Sequence, residues 1–223
     1  MERELILTED GSHTFFVPGL NENYHSTFGA ISESKHIFIE NALNATDRHN
    51  AEVRILEVGF GTGLNALLTW LYCIPRQIKL EYTAIEPLPI KPEEAKELNY
   101  TGILQFPGAE ALFKNMHEVP WGQTAMPGSH MKIFKIRSKL EDVELAAGQF
   151  DVVYFDAFGP EVQPELWTAK IFSKVHAAMA NEAVMTTFSA KGVVRRAMAR
   201  AGFRVEKLKG PAGKREITRA WKR

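Results

Sequence analysis

The sequence predicts an α/β fold built on a largely parallel sheet, and three observations carry that reading. Strand-like and helix-like segments alternate along most of the chain. Residues 150–155, Phe-Asp-Val-Val-Tyr-Phe, form the near-continuous apolar run expected of a strand covered on both faces. The residues with evident chemistry stand directly after strands, where open α/β sheets bind their ligands. With 223 residues, 45% of them hydrophobic, the chain is long enough for one filled domain and too apolar to be disordered. No apolar run approaches the roughly 20 residues of a membrane helix. The acidic start, Met1-Glu2-Arg3-Glu4, lacks the basic-then-apolar order of a secretory leader. A single cysteine, Cys73, excludes an intrachain disulfide and a cysteine-based zinc cluster. The expectation is a cytoplasmic protein with no membrane partner.

Residues 1–50 read as an extension packing on a core of residues 51–223. The extension begins irregular or short-stranded, with turn signals at Asp10-Gly11 and Pro18-Gly19. Helical spacing follows from Ile31 to Leu43, capped by Ser32 or Ser34. In the core, Val53–Val58 predicts a strand and Leu64–Ile74 a helix stopped by Pro75. Ile78–Ile85 predicts a second strand, and Pro92 opens a helix to Leu98, since proline suits a first turn. Residues 99–131 resist assignment because glycine, proline and aromatics interrupt every period. Strands at Met131–Ile136 and Phe150–Phe155 follow, then a helix at Trp167–Met179 and a strand at Ala183–Phe188. The helix Gly192–Ala201 ends at Gly202, and Phe203–Leu208 and Glu216–Ala220 close the chain as paired strands.

Three acidic motifs mark strand ends. The first, Glu57-Val58-Gly59-Phe60-Gly61-Thr62-Gly63-Leu64-Asn65, lies between a strand and a helix. Glycines there let the backbone turn sharply and approach a ligand. The third glycine comes one residue too early for a dinucleotide fingerprint, and no Gly-Lys-Ser/Thr ending makes a phosphate-binding loop. Glu57 would repel a pyrophosphate but suits a cationic amino-acid head group. The second is Glu86, placed to accept hydrogen bonds from ribose hydroxyls, with a plain strand-end carboxylate as its competitor. The third is Asp156-Ala157-Phe158-Gly159-Pro160. A nitrogen nucleophile needs a free lone pair in line with the departing group, and a carboxylate here orients or deprotonates an amine. Phe158 would stack on a flat base or meet a cation. Asp156 as a loop cap with Phe158 in the core is the bland alternative.

Charge is uneven. Residues 191–223 hold twelve Lys or Arg against Glu206 and Glu216, a net +10 balanced by −10 over the rest. A polyanion partner and a solvated basic tail fit this about equally. The turn Gly210-Pro211-Ala212-Gly213-Lys214-Arg215-Glu216, with Arg195 and Arg196 nearby, supplies donors for phosphates. The seven histidines (13, 25, 36, 49, 117, 130 and 176) show no metal spacing, so no metal is expected.

The ordered set Tyr24-His25-Ser26, Gly29 to Ile39, Leu56 to Asn65, Phe155 to Pro160 with Pro164-Glu165-Leu166-Trp167, and Gly213-Lys214-Arg215-Glu216 resembles a known family across nearly the whole chain. It is similar to the class I, Rossmann-like S-adenosylmethionine-dependent methyltransferases that complete 5-methylaminomethyl-2-thiouridine at the tRNA wobble position. In some bacteria such a domain is fused to an FAD-dependent oxidase. The resemblance implies methyl transfer from S-adenosyl-L-methionine to the primary amine of 5-aminomethyl-(2-thio)uridine, with tRNA, through its anticodon stem-loop, as partner. With no second glycine-rich βαβ unit in the sequence, no FAD is expected, and no further protein partner is implied. It places Glu57, Gly59, Phe60, Gly61, Thr62, Gly63 and Asn65 around the cofactor, Glu86 on its ribose, and Glu33 over its methionine end. Asp156 and Phe158 would face the amine and base, Trp167 would wall the pocket, and Arg195, Lys214 and Arg215 would meet the tRNA. The family's adenine-holding acid after the third strand has only Asp142 as a counterpart. A methyltransferase or aminopropyltransferase of similar fold acting on a small amine explains the acids equally but not the basic tail, and a binding module without turnover explains Asp156 poorly.

Overall fold

The computed structural model describes residues 1–46 and 51–223. The first residues form an antiparallel sheet of β1 (Glu4–Leu7), β2 (His13–Val17) and β3 (Glu22–Asn23). The helix expected over 31–43 is helical in three geometries. An α-helical start, α1 (Ala30–Ser34), widens into a π-helical stretch, Lys35–Glu40, and a 3-10 turn, Leu43–Ala45, follows. The wider turn lets the adjacent Ile37 and Phe38 both point inward. Ile31, Ile37, Phe38, Ala42 and Leu43 join the same apolar cluster as Val53 and Ile55, so the extension shares a core with the rest. The boundary expected at 50/51 adjoins residues 47–50, which, with His49, lie outside the described residues.

The main sheet has eight strands. Its parallel part is β9 (Met179–Thr187), β8 (Phe150–Phe155), β4 (Glu52–Val58), β5 (Lys79–Ile85) and β7 (Met131–Ile136), in that spatial order. Antiparallel β6 (Thr124–Gly128) borders β7, and β11 (Glu216–Trp221) and β10 (Arg204–Lys209) close the other edge. Side chains alternate across the sheet with period two. Val53, Ile55, Val152 and Tyr154 face one apolar cluster, with α2 (Leu64–Cys73) and α5 (Ala109–Glu118). Leu56, Val58, Val153 and Phe155 face the other, with α6 (Ala169–Ala178) and α7 (Gly192–Arg200). Every residue of β8 is buried, as its composition requires.

Element boundaries move for local reasons. The helix at Pro92 is one turn, α3 (Pro92–Ala95). Trp167 ends a separate 3-10 turn, Pro164–Trp167, and Thr168 caps α6 by accepting from the Ile171 amide. Within 99–131 lie α4 (Tyr100–Leu104), α5 and the bulged strand β6. The chain leaves β4 for β5 on one side and reaches β8 on the other. That topological switch opens a crevice at the strands' carboxyl ends. Register places Val58 beside both Ile85 and Phe155, so the residues following all three strands converge there.

Candidate active site

A cavity of about 580 Å³ opens at this crevice. Its floor is the bend after β4. The Gly59 amide donates to the Ile85 carbonyl at 2.9 Å, and the Asp156 amide donates to that of Val58 at 2.9 Å, tying the three strand ends together. Gly59 sits at φ +92°, and a Cβ there would collide with the Asp156 carbonyl oxygen. Only glycine meets both demands. Gly63, at φ +75°, caps α2.

Of the residues expected to hold the cofactor, Gly59, Gly61, Glu86 and Glu33 line the cavity. Glu86 accepts from the Leu88 amide at 2.9 Å and the Gly61 amide at 3.1 Å. Burial raises its pKa, and those two amide bonds oppose the rise. Glu57 is fully buried behind the bend. The Asn65 side-chain amide donates to Glu57 Oε1 at 2.9 Å and to Asp156 Oδ2 at 2.8 Å, linking two carboxyls. Burial pushes the Glu57 carboxyl well above the usual range against the Asn65 bond. Thr62 and Asn65 are buried, and like Phe60 and Gly63 they support the bend from behind. Asp142 is exposed, while its neighbours Lys139, Leu140 and Glu141 line the cavity.

Asp156 and Phe158 also face the cavity. The Asp156 carboxyl lies deep enough that burial lifts its pKa to about 7, against the Asn65 hydrogen bond; the charge of Glu33 adds and that of Lys214 subtracts. Phe158 is held at both backbone ends. Its amide donates to Gln163 Oε1 at 3.0 Å, and its carbonyl accepts from Trp167 Nε1 at 2.9 Å. Trp167 therefore supports the wall from behind, buried against Phe155 and Phe188. The Tyr24 ring meets Phe158 edge-on at 5.4 Å, and Arg3 donates to the Tyr24 hydroxyl at 2.9 Å.

Lys214 turns inward. Its ammonium pairs with Glu33 and lies 4.6 Å from the Phe188 ring centre. Glu33 also accepts from the Ser26 amide at 2.7 Å, so the extension and the last turn meet over the cavity. Arg215 is exposed and lines a shallower adjoining depression with Lys191 and Glu161. Arg195, on α7, stands 3.6 Å from Glu216 and lines neither recess. Tyr24, Glu141 and Gln163 line the cavity without any role expected from sequence. Tyr24 had a signal, as a member of the ordered motif set; a lone glutamine or a second acid beside Asp142 had none.

Fold and site together define a class I methyltransferase architecture: a switch-point crevice, a glycine bend lining it, and an acid at the end of each of the first two parallel strands. Residues 113–223 match the family model described as S-adenosyl-L-methionine-dependent methyltransferase. It is 29% identical over 231 residues to the tRNA 5-methylaminomethyl-2-thiouridine biosynthesis bifunctional protein MnmC of Burkholderia thailandensis, covering 96% of this chain and 34% of that protein. The Burkholderia multivorans counterpart is 30% identical over 227 residues, with the same coverage. The chain thus spans about a third of these relatives' length. Among solved structures, MnmC2 from Aquifex aeolicus superposes with a TM-score of 0.72 at 27% identity, over 98% of this chain and 70% of that one. Spermidine synthase from Thermotoga maritima, at TM-score 0.57 and 14% identity over 100% of this chain and 72% of that one, shares the fold.

S-adenosylmethionine fits the residues present. Gly59 and Gly61 line the cavity with backbone alone, a Cβ at Gly61 would stand 3.0 Å from the Tyr24 ring, Glu86 offers carboxylate oxygens to a diol, and Glu141 stands beyond β7. Among the described residues no group of three His, Cys, Asp or Glu is placed to hold a metal, and no helix is long and apolar enough to cross a membrane.

Proposed function

We propose that the chain methylates the primary amine of 5-aminomethyl-(2-thio)uridine at the tRNA wobble position, giving the 5-methylaminomethyl nucleoside. The observation that carries this reading is Asp156, a carboxyl with a pKa of about 7 facing the cavity beside the aromatic wall of Phe158 and Tyr24. The likeness to proteins named for that nucleoside supports it.

Gly59, Gly61, Glu86 and Glu33 would hold the cofactor, with Glu141 in the position first expected for Asp142. When bound, S-adenosylmethionine supplies an electrophilic methyl group on a sulfonium. The chain's own residues prepare the nucleophile. An alkylamine arrives protonated at neutral pH and has no lone pair to offer. Asp156, its Oδ2 held by Asn65, receives that proton on Oδ1 and leaves the nitrogen neutral. A group poised near neutrality suits the task, being ionised often enough to accept and basic enough to keep the proton. Phe158, fixed by Gln163 and Trp167, presents an aromatic surface to the uracil ring. The anticodon loop is the partner, the cytoplasm the compartment, and no protein partner is required.

The test is incubation with isotopically labelled S-adenosylmethionine and undermodified tRNA, followed by nucleoside analysis. Label on the wobble uridine side chain supports the reading. Label on free amines, with tRNA untouched, overturns it in favour of a small-amine transferase.

A further inference from the structure

Thr62, at the centre of the glycine bend, is only 1% exposed and is held from two directions. His25, which follows β3, places Nε2 2.8 Å from the Thr62 hydroxyl. His117, in the last turn of α5, places Nε2 3.1 Å from the Thr62 carbonyl. From this geometry we infer that His25 and His117 are positioning residues for the cofactor: they clamp Thr62 and hold the bend in its donor-binding shape before the donor arrives.

Several features single the clamp out from ordinary core packing. A carbonyl only accepts, so His117 Nε2 carries the proton and donates it to Thr62. Burial pushes both imidazoles down to about 4, so each is neutral at physiological pH and keeps one N–H. His117 is steered by aromatic edges, 4.8 Å from the Phe113 ring and 5.5 Å from that of Phe60. The end of α5 that carries it is fixed in turn by Lys135, a 1% exposed residue of β7. The Lys135 ammonium donates to the carbonyls of Met116 at 2.6 Å and His117 at 3.2 Å. It lies 4.8 Å from the Trp121 ring. Burial draws the Lys135 pKa down to about 8, a cost accepted to anchor one helix end. The third glycine fits the same arrangement: a Cβ at Gly63 would stand 2.8 Å from His117 Nε2 and 2.9 Å from Met116 Cε. The imidazole therefore occupies the space that glycine leaves.

The consequence is preorganisation. A bend already fixed spends no binding free energy on ordering itself. Removing His117 leaves a buried carbonyl unsatisfied and lets the bend move.

The inference rests on the cofactor assignment and not on tRNA, so it is tested by calorimetric binding of S-adenosylhomocysteine with no nucleic acid present. His117→Leu should weaken binding on the order of tenfold, the scale of one lost buried hydrogen bond. His117→Gln, whose Nε2–H reaches the same place, should stay within about threefold of the unsubstituted protein on the same scale. Amide exchange across residues 59–64 in the unliganded protein should quicken in the leucine variant and not in the glutamine variant. Equal binding by His117→Leu and the unsubstituted protein, or equal loss by leucine and glutamine, overturns the clamp. Should His117→Leu fail to fold, Thr62→Val reads the other arm, removing the hydroxyl that His25 holds together with its contact to Tyr100. It should bind several-fold more weakly, and unchanged affinity overturns the inference.

Discussion

Replacing Asp156 by asparagine should move activity and stability in opposite directions. The carboxyl titrates at about 7 in the folded protein against 3.8 for a free aspartate, because burial penalises its charge. The folded state therefore holds the proton more tightly than the unfolded chain. Stability from this group is complete below pH 4 and is lost as pH rises through about 7. Each factor of ten in the acid constant is worth about 1.36 kcal/mol, so the ionised carboxylate costs the fold up to roughly 4 kcal/mol by pH 8. Asparagine keeps an acceptor for Asn65 and carries no charge. Asp156→Asn should thus match the unsubstituted protein near pH 3.5 and exceed it by a few kcal/mol at pH 8 in urea unfolding. Glu57 is also raised by burial, but it is present in both proteins and largely cancels in the comparison. Turnover should fall about a hundredfold or more, as for removal of a proton-accepting group. The rise of kcat/KM with pH through about 7, where the carboxylate form accumulates, should vanish. Turnover within tenfold of normal with that rise intact removes Asp156 from proton transfer. A variant no more stable at pH 8 refutes the burial argument.

The parallel sheet was legible because its signals are local. Apolar runs near Glu57, Glu86 and Asp156 needed no partner to be recognised, and four of the five parallel strands lie within a residue of where the sequence placed them, while β9 begins at Met179 instead of Ala183 and takes the end of the expected helix. The stretch 99–131 was not legible, because its elements are stabilised by tertiary contacts. Tyr100 and Phe113 stack edge to face at 5.9 Å, and β6 exists only as the partner of β7. In the site, the strand-end acids were visible from spacing, but their division of labour was not. Whether Glu57 faces the cavity or lies behind it depends on which side of β4 the side chain takes, and Asn65 settles that by bridging it to Asp156. Trp167 was readable as an aromatic near the site. That it acts through the Phe158 carbonyl is a matter of one hydrogen bond formed after a 3-10 turn.

Gly59→Ala should cost more than the roughly 1–3 kcal/mol of a strained backbone, since the methyl also meets the Asp156 carbonyl; a thermal midpoint within a degree of normal contradicts that. Trp167→Phe keeps the ring against Phe155 but loses the bond to the Phe158 carbonyl, at about 1 kcal/mol. Turnover should drop while S-adenosylhomocysteine affinity holds, and an equal loss of both disproves a role confined to the substrate wall. The basic tail separates two lysine-or-arginine roles that net charge confounds. Among the described residues, six of its twelve cations (Lys191, Arg195, Arg204, Lys207, Lys214 and Arg219) are paired with carboxylates, so the +10 overstates the charge free to meet phosphates. Exposed Arg215→Ala should weaken tRNA binding and reduce the salt slope of log K by about 1, because one fewer counterion is released. Lys214→Met should leave that slope nearly unchanged and lower turnover instead, since its ammonium faces Glu33 and Phe188 inside the cavity. If Lys214→Met flattens the salt dependence as Arg215→Ala does, then Lys214 swings outward when tRNA binds and the inward pair with Glu33 belongs to the free enzyme alone.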